Sequence, residues 1–240
     1  PISSDAGTSM GIAKYYWHQL TKDKTIRKQK SLYYGNQSMM NEDNIKELFK
    51  DYKVTKTNKK EVAKLLSENN IVALFQGKCE SGPRALGNRS ILADPRDPQM
   101  KRRVNMVVKK REGFRPFAPI CSYDDMKNFF TPNIEIPYMN QIVSVKPKHR
   151  KKLPAITHID GSARVQTLRE DFNPKMYKLL KEYQKITKYP ILLNTSFNLK
   201  DQTMVRDSQE AIDTFMNCDM DFLVIDNIFI SKKILSETLT

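Results

Sequence analysis

Residues 76–90 combine residue types that suit the capture of an anion. The segment follows an apolar run at 71–75, and it contains three of the chain's eight glycines together with Lys78, Arg84 and Arg89. Glycine lets backbone N–H groups approach an anion closely, and the arginine guanidinium offers a planar fork of donors that matches phosphate oxygens. The segment therefore predicts an anion site at the end of a buried strand.

The spacing within this segment excludes two familiar phosphate-binding motifs. No Gly-Lys-Ser or Gly-Lys-Thr follows the glycines, as a Walker P-loop requires, and the Gly-x-Gly-x-x-Gly fingerprint of dinucleotide-binding proteins is missing. The same residues are compatible with a tight turn whose arginines pair with Glu80 and Asp94. Local chemistry leaves the anion site and the structural turn as open alternatives.

Two later stretches carry further polar groups. Arg115 lies in a loop stiffened by prolines at 116 and 119, so we expect it to be held in one pose. Residues 155–167 alternate apolar and polar side chains, which predicts a strand with one polar face. The residues on that face are His158, Asp160, Ser162, Arg164 and Gln166. Five polar residues on one face of a strand imply that the face contacts a ligand, water or a polar network.

A third stretch begins at Asn194. The apolar run 190–193 predicts a buried strand, and it leads directly into Asn-Thr-Ser-Phe-Asn at 194–198. Small amide and hydroxyl groups at the end of a buried strand are where α/β proteins place ligand-binding side chains.

The composition indicates a basic protein with enough apolar residues to form a core. The 240 residues are 39% hydrophobic and carry a formal charge of +14, with a pI near 9.6, which favours polyanionic partners. The lysine-rich runs at 56–64, 146–152 and 175–188 are typical of solvated surfaces.

Three widely separated cysteines argue against a zinc knuckle or a disulfide framework, so we expect a cytoplasmic setting. No apolar run is long enough to span a bilayer, and no secretory signal is expected. The first residue is Pro1, which suggests a processed chain or an excised fragment.

The elements that must position these groups alternate between helix and strand, which predicts an α/β fold. The amphipathic patterns and their caps predict helices at 9–22, 42–52, 59–69, 99–110, 123–130, 174–187 and 209–217. Strands are predicted at 52–55, 71–75, 90–93, 141–145, 155–167, 190–193, 221–226 and 228–231. Residues 23–41 form the best candidate boundary.

Four segments together resemble a known family. Gly-Pro-Arg-Ala-Leu-Gly-Asn-Arg-Ser at 82–90, with its continuation to Arg96, resembles the signature of the O-carbamoyltransferases of nodulation and antibiotic biosynthesis, the NodU/TobZ type. Residues 111–119, 158–166 and 194–198 agree with that family in order and spacing. Asp-Ala-Gly at 5–7, with Gly11 and Ala13, resembles the end of the family's actin-like N-terminal domain.

The resemblance implies a fold and a domain division. We expect an α/β (α+β) domain of the YrdC-like type, a twisted mixed sheet flanked by helices, preceded by a terminal helix from an actin-like domain. Residues 1–40 would be the remnant of the actin-like carbamoyl-transfer domain and a crossing segment, and residues 41–240 the carbamoyltransferase C-terminal domain.

It also implies a reaction. A carbamoyltransferase component of this type binds ATP, with Mg²⁺, and carbamoyl phosphate, and forms a carbamoyl-adenylate for transfer to a hydroxyl-bearing small-molecule acceptor. Departures such as Lys78-Cys79 and Ile120-Cys121 leave the acceptor open.

Matching positions then assign roles to residues. The first candidates for binding the phosphates and the carbamoyl group are Arg84, Arg115, Arg164 and Asn194. The second candidates are Lys109, Lys110, Arg89, Ser196 and Asn198. His158 is a candidate for proton transfer or phosphate orientation, against a structural hydrogen bond.

One metal position is also implied. Asp5 matches the third ligand of the N-terminal domain's metal site, but the histidine pair expected upstream is absent from this sequence. Fe²⁺ is therefore expected only if a full N-terminal domain is present.

Two other functions stay open at this point. YrdC-like domains are associated with double-stranded RNA, and the charge of +14 suits a nucleic-acid-binding module. The chain is alternatively a non-catalytic half that works only with a separate N-terminal carbamoyl-transfer subunit.

Overall fold

The computed structural model describes residues 2, 5–27, 29, 31–37, 42–50 and 52–234, with the side chains of Asp5, Lys233 and Ile234 outside this description. The strands are β1 Tyr52–Lys56, β2 Val72–Phe75, β3 Arg89–Ala93, β4 Ala118–Ser122, β5 Phe130–Thr131, β6 Val143–Val145, β7 Ser162–Ala163, β8 Gln166–Leu168, β9 Ile191–Ser196, β10 Phe222–Ile225 and β11 Ile228–Ile234. The helices are α1 Thr8–Thr21, α2 Glu42–Leu48, α3 Lys59–Ser67, α4 Met100–Arg102, α5 Tyr123–Phe129, α6 Pro147–Arg150, α7 Pro174–Thr187 and α8 Ser208–Met216.

The strands form one large mixed sheet and one small sheet. The large sheet has the order β1-β11-β10-β2-β3-β9-β4-β8, in which β10 and β2 are parallel, β4 and β8 are parallel, and the other neighbours are antiparallel. The small sheet has the order β5-β6-β7. In the large sheet, β9 therefore lies between β3 and β4.

Both faces of the large sheet are covered, which explains its continuous apolar strands. In β2, Val72 and Leu74 face a core that includes Leu66 of α3 and Leu180 of α7. Ala73 and Phe75 face a second core, which includes Val104 and Phe215. Helices thus flank a mixed sheet on both sides, and the predicted fold class is confirmed.

The predicted helix at 99–110 is only partly regular. A short α-helix, α4, continues as a π-helical segment, Arg103–Val108, and Lys109 N–H donates to the carbonyl of Val104 at 2.9 Å. Widened turns of this kind are often found at functional sites because they change the direction of the side chains that follow. Here the side chain of Lys109 is buried.

The predicted continuous strand at 155–167 is wrong. The chain reverses at 158–162, where the carboxylate of Asp160 accepts a hydrogen bond from Ser162 N–H at 2.9 Å and Gly161 adopts a φ of +80°. The turn divides the segment between two sheets, with β7 in the small one and β8 in the large one. Arg164 lies between these two strands, so it does not share one strand face with His158.

The N-terminal segment has two contrasting parts. Helix α1 has no buried residue, and Tyr15, Tyr16 and Trp17 are all more than half exposed. By contrast, Gly35 N–H donates to the carbonyl of Cys79 at 3.0 Å, and Leu32 is buried. Residues 31–37 thus lie along the segment that carries Arg84, while the predicted domain boundary at 40/41 falls outside the described residues.

None of the helices that the structure describes is both long enough and apolar enough to cross a membrane.

Candidate functional site

Four strand ends meet at one edge of the large sheet. The pairing places Ser196, at the end of β9, opposite Ser90 near the start of β3, and Asn194 opposite Ala118 at the start of β4. Gln166 begins β8, beside β4. Residues that are far apart in sequence are thereby gathered at one place.

The segment 80–89, which we call the arginine loop, is folded around its own carboxylate. One oxygen of Glu80, Oε1, accepts hydrogen bonds from the backbone N–H groups of Leu86, Asn88 and Arg89 at 2.8, 2.8 and 3.1 Å. Burial raises the pKa of Glu80, and these donors oppose that shift. Because Glu80 occupies these three N–H groups, they are not available to an anion, whereas the Arg84 side chain lines the cavity described below.

Arg89 has a structural place in the loop, not an anion-binding one. Its side chain is fully buried, with Nη1 donating to the carbonyl of Gln76 at 2.7 Å and Nη2 donating to those of Asn36 and Gly77 at 2.9 and 3.1 Å. The guanidinium also lies 3.6 Å from the ring centroid of Phe75. Arg89 therefore joins β2, residues 31–37 and the arginine loop.

Replacing Gly87 with alanine is expected to lower the free energy of unfolding by about 1–3 kcal/mol, because this residue has a φ of +106°. A Cβ there would also lie 3.0 Å from Cγ of Met176. Chemical denaturation measures the change. Gly11→Ala is the matched control, since nothing lies within 4 Å of its added Cβ in α1 and helix content should rise slightly. Equal stability of the Gly87→Ala variant and the unaltered chain would contradict the positive φ and the close packing described for Gly87.

A small polar cavity of about 120 Å³ lies where the strand ends meet. Its wall includes three arginines and three polar residues of β9, namely Arg84, Arg111, Arg164, Asn194, Thr195 and Ser196. No carboxylate is among the described residues that line it. A concave site with several cations and no acidic side chain is suited to an anion.

Arg84 and Arg164 are positioned as a pair without an acidic partner. Neither guanidinium forms a hydrogen bond or an ion pair with any residue in the described part of the chain. Burial lowers the pKa of the Arg164 guanidinium, and the neighbouring charge of Arg84 adds to this shift. Bringing two like charges together costs free energy, and a bound anion would relieve that cost.

Arg111, rather than Arg115, reaches the cavity. The buried side chain of Asn105 accepts a hydrogen bond from Arg111 Nε at 2.8 Å and donates to the carbonyl of Arg115 at 2.9 Å. The side chain of Arg115 is about half exposed and pairs with Glu112 at 2.8 Å. The predicted candidate Arg115 therefore lies outside the cavity, and Arg111, which the sequence interpretation omitted from the site, lines it.

Lys109 lies behind the cavity wall. Its ammonium group donates to the carbonyl of Ser196 at 2.6 Å, to Ser196 Oγ at 3.2 Å and to Asn198 Oδ1 at 2.7 Å. Burial, together with the charge of Arg111, lowers its pKa to about 7. Three predicted candidates, Lys109, Ser196 and Asn198, thus form one hydrogen-bonded group beneath the arginines.

Anion affinity should depend on pH through Lys109. A bound anion stabilises the charged ammonium, so the affinity for sulfate should fall as pH rises above about 7, by up to about tenfold per pH unit. Sulfate is the appropriate probe because its own charge is constant in this range. Calorimetric titration between pH 6 and about 9 measures the effect. The Lys109→Met variant should show a flat profile, and an equally steep profile in that variant would contradict the role of Lys109.

Asn194 supplies an acceptor to the cavity wall. Its amide nitrogen donates to the carbonyl of Ala85 at 3.1 Å and to Gln166 Oε1 at 3.0 Å. The side chain is buried, and its Oδ1 atom has no hydrogen-bond partner among the described residues. Asn194 thus contributes to the cavity wall a neutral acceptor that no described donor satisfies.

The remaining candidates lie elsewhere. Lys110 is exposed and donates to the carbonyl of Asn217 at 3.4 Å. His158 contacts Ser162 Oγ at 3.1 Å and does not line the cavity, and burial lowers its pKa. Asp5 begins a short 3-10 turn, but its carboxylate lies outside the described residues. Among the residues described, no group of three or more histidines, cysteines or carboxylates is arranged to hold a metal.

A larger cavity of about 470 Å³ adjoins the small one. The two cavities share Arg84, Arg164, Pro83 and Met139, and the described lining of the larger one also lacks a carboxylate. Its other walls include Leu32, Leu86, Tyr138 and Ile142. The two arginines thus stand at the junction between a small polar cavity and a larger, more apolar one.

Comparisons with known proteins agree on one family. The family model described as "Carbamoyltransferase C-terminus" matches residues 63–232. An uncharacterized protein of Methanocaldococcus jannaschii is 38% identical over 98% of this chain and 40% of its own length. Nodulation protein NolNO of Sinorhizobium fredii is 36% identical over 97% of this chain and 35% of its own length. The chain therefore spans well under half the length of these relatives.

One solved structure bears on the fold. The HypF protein of T.kodakarensis is similar over 77% of this chain and 23% of its own, with a TM-score of 0.50 and 16% sequence identity. This likeness concerns the arrangement of helices and strands.

Proposed function

The chain belongs to the carbamoyltransferase C-terminus family, and on this premise we propose that it binds ATP and carbamoyl phosphate and forms a carbamoyl-adenylate. The carbamoyl group then passes to a hydroxyl acceptor, and AMP is released. The final transfer and the identity of the acceptor belong to the whole protein, of which relatives such as NolNO are longer examples.

The observation that carries the proposal is the arginine-lined cavity. Arg84 and Arg164 have no acidic partner in the described structure, and Arg111 completes the cationic wall. Adenylation creates negative charge at the α-phosphate of ATP and expels pyrophosphate. Positioned cations stabilise that charge without reorganising during the reaction, which is the main contribution a site of this kind makes to the rate.

The two cavities suggest a division between the substrates. The larger one falls within the usual size range for sites that bind drug-sized ligands, and its apolar walls suit a nucleoside. The smaller one suits the carbamoyl donor. With Arg84 and Arg164 on the shared wall, the donor and the α-phosphate would both be held within reach of the same cations.

The proposed reaction releases two products before the transfer step, phosphate and pyrophosphate. Water releases phosphate from carbamoyl phosphate, an oxygen of the resulting carbamate attacks the α-phosphate of ATP, and pyrophosphate departs. Magnesium bound to the nucleotide would neutralise phosphate charge. The described linings offer it no carboxylate, so the nucleotide's own phosphates would hold it. The iron-type site implied by Asp5 involves a side chain outside the described residues, and we derive no step from it.

Exchange of radiolabelled pyrophosphate into ATP tests this proposal with the 240-residue chain. We expect exchange that depends on carbamoyl phosphate, because the carbamate must be present before the adenylate can form and reverse. Exchange at the same rate without carbamoyl phosphate would contradict the proposal. If exchange appears only after the N-terminal region of a longer relative is added, this chain is a half of the enzyme that is inactive without its partner domain.

A further inference from the structure

Residues 31–37, which we call the strap, pair with the residues that lead into the arginine loop. Gly35 N–H donates to the carbonyl of Cys79 at 3.0 Å, and Cys79 N–H donates in turn to the carbonyl of Asn36 at 2.9 Å. An antiparallel bridge extends this contact by one further pair of residues. The matched family segment begins at residue 63, so the strap belongs to the part of the chain that precedes it.

Two neighbouring residues of the strap hold the arginine loop on either side of Arg84. The carbonyl of Leu32 accepts a hydrogen bond from Ser81 N–H at 2.7 Å, three residues before Arg84. The hydroxyl of Tyr33 donates to the carbonyl of Leu86 at 2.9 Å, two residues after Arg84. The four residues between these two contacts belong to neither a helix nor a strand. The strap therefore helps to fix both ends of the short stretch that carries the Arg84 side chain.

The surroundings of Tyr33 fix the direction of its hydroxyl. Asn173 Nδ2 donates to the hydroxyl oxygen at 3.0 Å, so the O–H group is left to donate to the carbonyl of Leu86. The ring of Tyr33 lies 5.5 Å from that of Phe172, measured between centroids. Gln166 Nε2 also donates to the carbonyl of Leu86, at 3.0 Å. The hydroxyl can therefore be removed while the ring stays packed and the carbonyl keeps one donor.

The placement of Arg84 depends on the backbone that carries it. Its guanidinium lines both cavities and has no hydrogen-bond or ion-pair partner among the described residues. A small shift of the backbone therefore moves this charge relative to a bound anion, and binding groups must be held to within about 0.5 Å of their productive geometry. The side chain of Leu32 also lines the larger cavity, so the strap contributes both a wall and an anchor.

We propose that Tyr33 is a positioning residue for Arg84, and that the strap makes the anion site depend on a part of the chain that precedes the matched family segment. Tyr33 lines neither cavity and acts through the carbonyl of Leu86. The inference rests on the proposed function only in that it takes the arginine-lined cavity as an anion site.

Calorimetric titration with sulfate tests the placement of Arg84 without turnover. Tyr33→Phe removes the hydroxyl alone. We expect sulfate to bind this variant about 3- to 10-fold more weakly than the unaltered 240-residue chain, because a misplaced guanidinium loses part of a charge-assisted hydrogen bond. Tyr177→Phe is the matched control, since the Tyr177 hydroxyl donates to Asp124 Oδ2 at 2.7 Å and Tyr177 lines neither cavity. The control also loses one hydrogen bond, and it should bind sulfate as the unaltered chain does.

A double-mutant cycle separates positioning from a general loss of stability. In an Arg84→Met background, Tyr33→Phe should leave the sulfate affinity unchanged, because the side chain through which Tyr33 acts is missing. An equal weakening in both backgrounds would show that Tyr33 acts on the site by another route, and it would overturn the inference. If Arg84→Met binds sulfate too weakly for titration, the comparison of Tyr33→Phe with Tyr177→Phe decides the question.

The outcomes separate this inference from the proposed function. Unchanged sulfate affinity in Tyr33→Phe, or an equal loss in Tyr177→Phe, would overturn the positioning role and leave the proposed function standing. Weaker sulfate binding by Tyr33→Phe alone, in a chain whose pyrophosphate exchange does not depend on carbamoyl phosphate, would support the positioning role and contradict the proposed reaction. Failure of the unaltered chain to bind sulfate would contradict the anion site, and both proposals with it.

Discussion

Replacing Arg164 with methionine is expected to lower the rate of carbamoyl phosphate-dependent pyrophosphate exchange by about 100-fold. Removing one well-placed cation from a site where charge develops costs about 3 kcal/mol of transition-state stabilisation. Arg164 fits that description because it lines both cavities, is partly buried and has no acidic partner among the described residues. Methionine keeps much of the side-chain volume, so the change removes charge and donors more than packing.

The control for this prediction is Arg115→Met. Before the fold is considered, Arg115 and Arg164 are equal candidates, since both lie in motifs of the carbamoyltransferase family. In the structure Arg115 pairs with Glu112 on the surface and lines neither cavity. We expect its replacement to change the exchange rate by less than about threefold, because exposed ion pairs contribute little. A larger loss with Arg115→Met than with Arg164→Met would contradict the assignment of the site.

Much of the fold follows from local pattern. Helix α7 was predicted at 174–187 and is observed there, since Asn173 caps it, Pro174 opens it, and its apolar residues recur at helical spacing. The buried strands β2 and β9 were also predicted to within a few residues. Continuous apolar runs predict strands covered on both faces, and this sheet has helices on both faces.

The polar segment before β8 shows why a periodic pattern can mislead. Alternation at 155–167 suits a strand, but Gly161 has a positive φ and Asp160 accepts a hydrogen bond from Ser162 N–H. A glycine preceded by aspartate is also a turn signal, and here the turn prevailed. The reversal carries Arg164 to the cavity and leaves His158 outside it.

The choice between arginines could not be made from the motif alone. Arg111 and Arg115 are four residues apart, and the buried Asn105 of the π-helical segment decides which of them points into the cavity. Asn105 is six residues before Arg111. The presence of an asparagine at this position does not indicate that its amide will contact Arg111 and Arg115. The available signal was the position of Arg111 directly after Lys109 and Lys110, at the end of a helix.

The hydrogen bonding of the arginine loop differs from the prediction made for it. Its glycines predicted backbone donors for a phosphate, whereas Glu80 occupies three of those donors. The alternative of a structural turn is correct in that Arg89 is structural, but its expected partners are wrong. Among the described residues Arg89 donates to backbone carbonyls, and Asp94 pairs with Arg96 instead. The backbone held by Glu80 and Arg89 carries Arg84, whose side chain lines both cavities and has no partner among the described residues.

Replacing Arg89 with methionine is expected to lower the free energy of unfolding by about 3–5 kcal/mol, a large fraction of the stability of a typical domain. The substitution would leave the buried carbonyls of Gln76, Gly77 and Asn36 without their Arg89 donors. It would also remove a positive charge that lies near the buried carboxylate of Glu80. Guanidinium chloride denaturation, followed by circular dichroism, measures the change.

Arg206→Met provides the matched comparison, because Arg206 is exposed and pairs with Glu210 one helical turn away. Its replacement should leave the denaturation midpoint nearly unchanged, since solvent already screens that pair. If Arg89→Met were no more destabilising than Arg206→Met, Arg89 would have to be assigned to ligand binding instead. The expected result is a destabilised arginine loop, and with it weaker binding of sulfate at Arg84 even where the variant stays folded.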